Sequence, residues 1–504
     1  MYLFFCYSCY HLNTVDYIED IFAKYFLVLC TLVNTNQESN KLAVTAEELH
    51  ADLKSEKPLL VFDLRLREHY IHEHIEGSVH AVCDSRAKET IMPRIPKGVK
   101  IVLVDEDGIM AAETASMMAS YGLDSHFLKD GIKGWNRGLV KKETRSTISP
   151  DELWSKIKKK EDIVLVDVRQ AEEFSDFKIP DSINIPLSEL FKKESLDRIP
   201  KNKQIVTICP HGNRSMVAAF ALARNGIDAL SLTGGLAGWG QVLNSQVITR
   251  ENSIVVQVEK IGKGCLSYIV GSKGQSIVID PVYPAEKYVE FARNEGLQIV
   301  KVIDTHQHAD HVSAARELAK ITNSKLYMSK YEQYDFESNR VGDGDIIIVG
   351  DSKIRVIHTP GHTAGSLSYV LNEKYVFSGD ILFVEGIGRP DLRNNANEFA
   401  NDLYDTLHKK LLTLPNEVIV LPAHHGEQSG SKNGIYYTTI KEAKNLSILE
   451  LLHDSFIEKV ASTTLPKPMN YEKIIQINRS SQLVPVLEIA NLEIGPNRCA
   501  ISTS

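Results

Sequence analysis

The sequence predicts an α/β protein: two copies of one unit, each a parallel sheet with helices on both faces, followed by a larger and separate α/β domain. Three observations predict it. Residues 44–139 and 148–243 repeat one another, short apolar strands alternate with helices inside each copy, and after Ser253 the pattern becomes strand-rich. The repeat rests on identities at a constant offset of 104 positions, among them Asp63 with Asp167, Arg65 with Arg169, Glu68 with Glu172, Gly131 with Gly235 and Trp135 with Trp239. Alternating strands and helices imply a parallel sheet, because each crossover helix must lie on one of its faces.

The elements follow in chain order. At about 150 residues per domain, 504 residues leave room for two to four domains. Residues 1–40 read as a loosely held extension. Their apolar run, 25–33, is much shorter than the roughly 20 residues that span a bilayer. Asp16, Glu19 and Asp20 ahead of it do not suit a signal peptide. The first unit is expected over 41–143 and the second over 144–247, joined by a charged linker at 141–147. In the second unit Ser149, with Glu152 three positions later, starts a helix. Buried strands are expected at 163–168 and 205–208, then a glycine-containing loop and an alanine-rich helix at 215–225 closed by Gly226. A polar linker at 244–252 leads into the last domain, 253–504, with strands at 254–258, 267–270, 276–279, 346–348, 375–377 and 418–421 and a helix at 285–294.

Composition narrows the function. Lys+Arg 57 against Asp+Glu 65 leaves a net charge of -8, which excludes a nucleic-acid backbone as main partner. No membrane span is expected, and a homo-oligomer is compatible with the chain. Seven scattered cysteines do not make a disulfide framework, so a reducing, cytoplasmic setting is expected. Cys6 and Cys9 form a C-x-x-C without a βαβ setting, and we assign them no metal or redox role. The run Lys156–Lys160 reads as a solvated helix face.

Cys209 differs from the other six. It ends a strand, and the loop Pro210-His-Gly-Asn-Arg214 opens the following helix. Helix N-terminal amides and the Arg214 charge both favour an anion, so a thiolate there is stabilised and nucleophilic. Gly212 allows the backbone to curl round the sulfur. A buried cysteine without chemistry is the ordinary alternative. With D-V-R-x-x-E-E-F, C-x-x-G-x-R-S and G-G-x-x-G-W, residues 148–243 resemble a rhodanese domain, a sulfur-transfer module. The resemblance implies that Cys209 and Arg214 are catalytic and that Cys209 carries sulfur as Cys-S-S(-). Cysteine-dependent phosphatases have the larger C-x5-R loop, whereas Cys209 to Arg214 is C-x4-R. In the first copy Asp105 stands in place of Cys209, and Met110 and Ala111 replace Arg214 and Ser215. That copy resembles an inactive rhodanese with a packing or docking role. Cys83 pairs with Leu187 and reads as filler.

In the last domain Thr305-His306-Gln-His308-Ala-Asp310-His311 follows an apolar strand, and His362, Asp380 and His424 each sit close behind another. Loops held by rigid strands are where ligands converge. His358, His408 and His425 read as structural or solvent-facing, and His211 merely lies in the cysteine loop. The set resembles the metallo-β-lactamase superfamily over about 254–430, which implies an αββα sandwich with metal at one end of its sheets. Two site readings stay open on the ligands. In one, two Zn(II) ions serve a thioester hydrolase of the hydroxyacylglutathione hydrolase type. There His306, His308 and His362 hold one ion, Asp310, His311 and His424 the other, and Asp380 bridges. In the second, one Fe(II) is held by His306, His362 and Asp380, while His308, Asp310, His311 and His424 orient ligands and water.

The segments Gly379-Asp380-Ile-Leu-Phe383 and Gly388-Arg389-Pro-Asp391-Leu392, and the tail at 466–471 and 492–499, resemble persulfide dioxygenases. Fusion to a sulfurtransferase points the same way. The resemblance implies oxidation of a low-molecular-weight persulfide, such as that of glutathione, by O2 to sulfite, combined with thiosulfate or persulfide sulfur transfer. Arg389 is a candidate for a substrate carboxylate. A sulfur carrier or docking protein with a vestigial metal site is the non-enzymatic alternative. The direction of the rhodanese step is open, since Cys209 could also turn sulfite into thiosulfate.

Overall fold

The computed structural model describes residues 41–502 apart from 56, 82–91, 142–145, 392–394, 427–429, 464–465, 496 and 498. The expected extension 1–40, with Cys6, Cys9 and Cys30, and the position of Cys83 lie outside the described residues.

The repeat seen in the sequence is a repeat of topology. Strands β1 (Ala43–Val44), β2 (Leu59–Asp63), β3 (Ser78–His80), β4 (Lys100–Val104) and β5 (Ser125–Leu128) form a sheet of order β1-β5-β4-β2-β3. All of its pairings are parallel. Strands β6 (Thr147–Ile148), β7 (Ile163–Asp167), β8 (Ile183–Asn184), β9 (Gln204–Ile208) and β10 (Ala229–Leu232) take the equivalent order β6-β10-β9-β7-β8. The central strands show no polar alternation because both faces are covered, and all of β2 is buried. Helix α1 (Ala46–Lys54) starts with a capping box between Thr45 and Glu48, and α3 (Pro150–Lys158) with Ser149 accepting from the Glu152 N–H. Between them in the chain lies α2 (Ile109–Ser120), and α4 (Asn213–Arg224) and α5 (Gly235–Trp239) follow.

The repeated Asp-x-Arg pairs are structural. Asp63 and Arg65 are buried and joined at 2.7 Å, and the Arg65 guanidinium also donates to the Glu73 carbonyl at 2.7 Å. Asp167 and Arg169 repeat this at 2.8 Å, with Phe177 supplying the carbonyl. Each pair ties a strand end to the C-terminus of the short helix that follows it, which satisfies a buried charge at both ends.

By internal contact the described residues fall into two units. One comprises the described residues up to Ser146 with Ile185–Thr207 and Asn213–Ser231, holding the first sheet, most of β9 and β10, and α4. The other comprises Thr147–Asn184, Ile208–Gly212 and Leu232–Ser504, holding the Cys209 loop, α5 and the larger domain.

That domain is a sandwich of two mixed sheets. The first runs β11 (Leu243–Thr249), β12 (Ile254–Lys260), β13 (Cys265–Ser272), β14 (Gln275–Ile279), β15 (Gln298–Ile303), β16 (Lys325–Ser329) and β17 (Asn339–Val341) in that order. The second contains β18 (Ile346–Val349), β19 (Ser352–His358), β20 (Leu367–Leu371), β21 (Tyr375–Gly379), β23 (Ile419–Pro422) and β24 (Thr438–Thr439). A small extra pair joins β22 (Gly386–Gly388) to β25 (Ala500–Ser502). Residues 244–252, expected as a polar linker, instead supply most of β11, which pairs antiparallel with β12. Its polar side chains are those of a half-buried edge strand, which resembles a linker in composition.

Tyr268, Ile277, Val356, Tyr369 and Phe377 meet between the two sheets. The outer face of the first packs on α6 (Glu286–Asn294), α7 (Ala315–Thr322), α10 (Tyr471–Arg479) and α11 (Val486–Leu492). The second packs on α8 (Ala396–Thr406) and α9 (His453–Ser462). The architecture is therefore αββα. Phe456 of α9 is fully buried and packs edge-on against Tyr404. Phe456→Ala should cost about 3–5 kcal/mol, read as a lower denaturant midpoint of the full chain.

Candidate functional site

Strand ends deliver the ligand-type residues to one place. His306 follows β15, His362 follows β19, Asp380 follows β21 and His424 follows β23, and all four side chains are buried. Hydrogen bonds behind the imidazoles set their tautomers. The Thr305 hydroxyl donates to Asp280 Oδ2 at 2.9 Å, so in its 2.9 Å contact with His306 Nδ1 it accepts. His306 Nδ1 therefore carries the proton and Nε2 presents a lone pair. His362 Nδ1 donates to the Arg389 carbonyl at 2.9 Å, with the same consequence for its Nε2.

These lone pairs face one carboxylate oxygen. Asp380 Oδ2 lies 3.7 Å from His306 Nε2 and 3.6 Å from His362 Nε2. His306 Nε2 and Asp380 Oδ2 are buried and make no hydrogen bond, a costly arrangement unless a cation lies between them. Burial, together with His308 and His362 nearby, holds the His306 pKa well below its ordinary value, which keeps the ring neutral. Two imidazole nitrogens and one carboxylate oxygen thus fit a divalent metal ion.

A second cluster adjoins the first. His424 is held between Asp380 Oδ1 at 2.6 Å and Asp310 Oδ2 at 2.8 Å. Asp310 Oδ1 is 3.1 Å from His311 Nδ1, and Cys265 Sγ lies 3.5 Å from Asp310 Oδ2 and 3.7 Å from His311 Nδ1. Burial opposes charge on His311, but Asp310 and Cys265 override it and raise its pKa to about 10. For His424 burial is likewise outweighed, here by Asp310 and Asp380, and the pKa is pushed well above normal. His308 turns Nε2 toward Asp280 Oδ1 at 3.2 Å, leaving its buried Nδ1 without a hydrogen bond.

The structure thus brings His306, His308, Asp310, His311, His362, Asp380 and His424 together. The sequence reading missed Cys265 and Asp280. Asp280 had a signal, since it directly follows β14 and precedes Pro281, a strand-end position like that of Asp380. Cys265 opens an apolar strand and belongs to no motif. Arg389 is engaged by its own chain. Its buried guanidinium is bidentate on Asp391 at 2.6 and 2.7 Å and donates to the Pro466 carbonyl at 2.9 Å. These contacts fasten the loop after β22, and a role toward a substrate carboxylate would have to coexist with them. His358 stacks on Tyr331 and His425 on Tyr436 while bonding Glu259, and His408 packs at a tilt against Tyr404.

At the cysteine loop, Cys209 Sγ accepts the Gly212 N–H at 3.2 Å. The Leu236 and Ala237 N–H groups of α5 donate to the carbonyls of Cys209 and Pro210, each at 2.9 Å. Gly235 has φ +57°, and a Cβ there would overlap the Cys209 carbonyl oxygen. Arg214 lies in the first turn of α4. In the first copy, Asp105 accepts the N–H groups of Gly108 at 2.6 Å and Ala111 at 3.0 Å. Its carboxylate occupies the anion position at the start of α2, and burial pushes its pKa up.

The comparisons with known proteins match this division. A family model described as the metallo-beta-lactamase superfamily matches residues 261–424, and one described as a rhodanese-like domain matches 45–137 and 149–241. The mitochondrial persulfide dioxygenase ETHE1 of Mus musculus is 30% identical over 225 residues, covering 43% of this chain and 84% of the mouse protein. The chain belongs to the metallo-β-lactamase superfamily. Its metallo-β-lactamase domain is preceded by two rhodanese-like domains. The probable polyketide biosynthesis zinc-dependent hydrolase BaeB of Bacillus velezensis is 32% identical over 189 residues, 35% of this chain and 82% of that protein. The crystal structure of ETHE1 from Myxococcus xanthus is 32% identical and covers 45% of this chain and 98% of its own, with a TM-score of 0.41. Among the described residues no helix is long and apolar enough to cross a membrane.

Thr305→Val removes the acceptor behind His306 and should weaken metal binding about 10- to 100-fold, measured by competition with a chelator. In the metal-free protein, the His311 pKa is raised on folding. The stability it contributes should be complete below its unfolded value of about 6.5 and fall as pH rises through about 10, followed by chemical denaturation.

Proposed function

We propose that the chain is a non-haem Fe(II) persulfide dioxygenase joined to a rhodanese-type sulfurtransferase. The supporting observation is the facing of His306 Nε2, His362 Nε2 and Asp380 Oδ2 on a chain that also carries the Cys209 loop. Bound there, Fe(II) would supply the redox chemistry with O2. Thr305 and the Arg389 carbonyl hold the two imidazoles in the ligating tautomer, and His424 anchors the other oxygen of Asp380. The net reaction is RSSH + O2 + H2O giving RSH and sulfurous acid, which ionises to sulfite. The sulfane sulfur gives up four electrons, and O2 accepts them. Cys209 takes sulfur from thiosulfate or a persulfide and passes it to a thiol, for which we propose glutathione. Arg214 supports the anion, and the first rhodanese-like domain, with Asp105, has no sulfur to transfer. We keep the expected first border, 41–143, and the cytoplasmic setting; because β11 belongs to the sheet of the last domain, that domain begins at Leu243 and the second unit ends before it.

A second reading has a specific observation behind it. Asp310, His311 and His424 stand together beside the first ligand set, with the bare Nδ1 of His308, and could complete a two-zinc hydrolase.

Anaerobic purification, metal analysis and O2 uptake with glutathione persulfide separate the two. One iron per chain and sulfite release are expected. Two zinc ions, no O2 uptake and hydrolysis of a glutathione thioester would overturn the dioxygenase. Cys209→Ser should abolish thiosulfate sulfur transfer and leave O2 uptake from supplied persulfide unchanged; loss of O2 uptake would refute this division of labour.

A further inference from the structure

The C-terminal helices α10 and α11 reach both candidate centres. Asn478 of α10 is buried, and its amide donates to the carbonyls of His308 and His311, each at 2.9 Å, while its oxygen accepts the Ser313 N–H at 2.8 Å. Glu493, directly after α11, accepts the Val312 N–H at 2.7 Å. Two side chains of the tail therefore hold the backbone of the loop that carries His306, His308, Asp310 and His311. Glu493 is itself fastened by a buried ion pair to Lys260, and its carbonyl accepts from Lys263 at 3.0 Å.

The same helix touches the sulfur loop. Asn491, two residues before Glu493, bonds through Oδ1 to His211 Nε2 at 3.1 Å, and His211 lies between Cys209 and Gly212. Helix α5, whose amides hold the carbonyls of Cys209 and Pro210, lies against α11. The Lys260–Gly264 turn makes a further link. Gly262 packs on Gly240 and Trp239 so closely that a Cβ would come within 2.8 Å of Gly240 Cα, and the Ile261 N–H donates to the Val242 carbonyl at 3.0 Å.

We propose that residues 471–493 are a strut shared by the two centres, with Asn478 and Glu493 as positioning residues for the metal loop and Asn491 as the positioning residue for the Cys209 loop. Functional meaning for this strut rests on both centres acting as proposed above. Because Asn491 and Glu493 lie at one helix end, a shift that releases the metal loop also releases the sulfur loop. The cysteine-bearing loop is thereby held in one orientation toward the domain that consumes persulfide, rather than swinging on a flexible tether. His211, a bystander in the sequence, becomes the contact point.

Hydrogen exchange on the full chain tests this. Asn491→Ala should speed amide exchange in 209–212 by about 2- to 13-fold, the range of one net hydrogen bond, and leave 306–313 unchanged. Asn491→Asp, which keeps an acceptor for His211, should restore protection. Glu493→Gln should speed exchange in both segments. If that variant does not fold, Lys263→Met, which removes only the bond to the Glu493 carbonyl, should move both segments together by a smaller factor. Loosening of 306–313 alone on either change, or an unaltered 209–212 in Asn491→Ala, would overturn the strut. Exchange is read without turnover. Coupled exchange in a protein that takes up no O2 would thus refute the dioxygenase and leave the strut standing.

Discussion

The metal centre depends on one buried carboxylate. Asp280, at the end of β14 with φ +52°, accepts the Thr305 N–H at 2.6 Å, the Thr305 hydroxyl at 2.9 Å and His308 Nε2 at 3.2 Å. Through the hydroxyl it dictates which nitrogen of His306 is bare, and directly it dictates which nitrogen of His308 is bare. The lone pairs are aimed by protein hydrogen bonds, so the cost of assembling the site is met during folding.

A related economy distinguishes the two rhodanese-like domains. Both place an anion acceptor at the start of a helix, where free N–H groups point at it. In the second domain that acceptor is the sulfur of Cys209; in the first it is the carboxylate of Asp105, which takes two of those N–H groups itself. With Asp105 the first domain satisfies the helix N–H groups internally while its core, caps and Asp-x-Arg pair match those of the second.

Much of this was readable in advance, for physical reasons that differ by element. β2, β7 and β9 are continuous apolar runs because their sheets are covered on both faces, and α1 and α3 announce themselves through Thr45 and Ser149. β11 was not readable, because an edge strand with one wet face has the composition of a linker. At the site, histidines in glycine- and proline-framed loops stood out as ligands, whereas Cys265 carries no local pattern and Asp280 only that of a strand end followed by Pro281. Arg389 pairs locally with Asp391, whereas its bond to the Pro466 carbonyl forms only once the tail has folded back.

By itself the sequence determined the domain order, the repeat, the replacement of Cys209 by Asp105 in one copy and the identities of the ligand-type residues, since these are carried by residue type and spacing. Only the tertiary structure decided which nitrogen of each histidine faces the metal position, that His424 bridges Asp310 and Asp380, and that Asn478, Asn491 and Glu493 of the tail reach the loops of both centres. Those are matters of hydrogen-bond direction between segments up to 280 residues apart. Local sequence does not encode such direction; it emerges when the strands bring the donors and acceptors face to face.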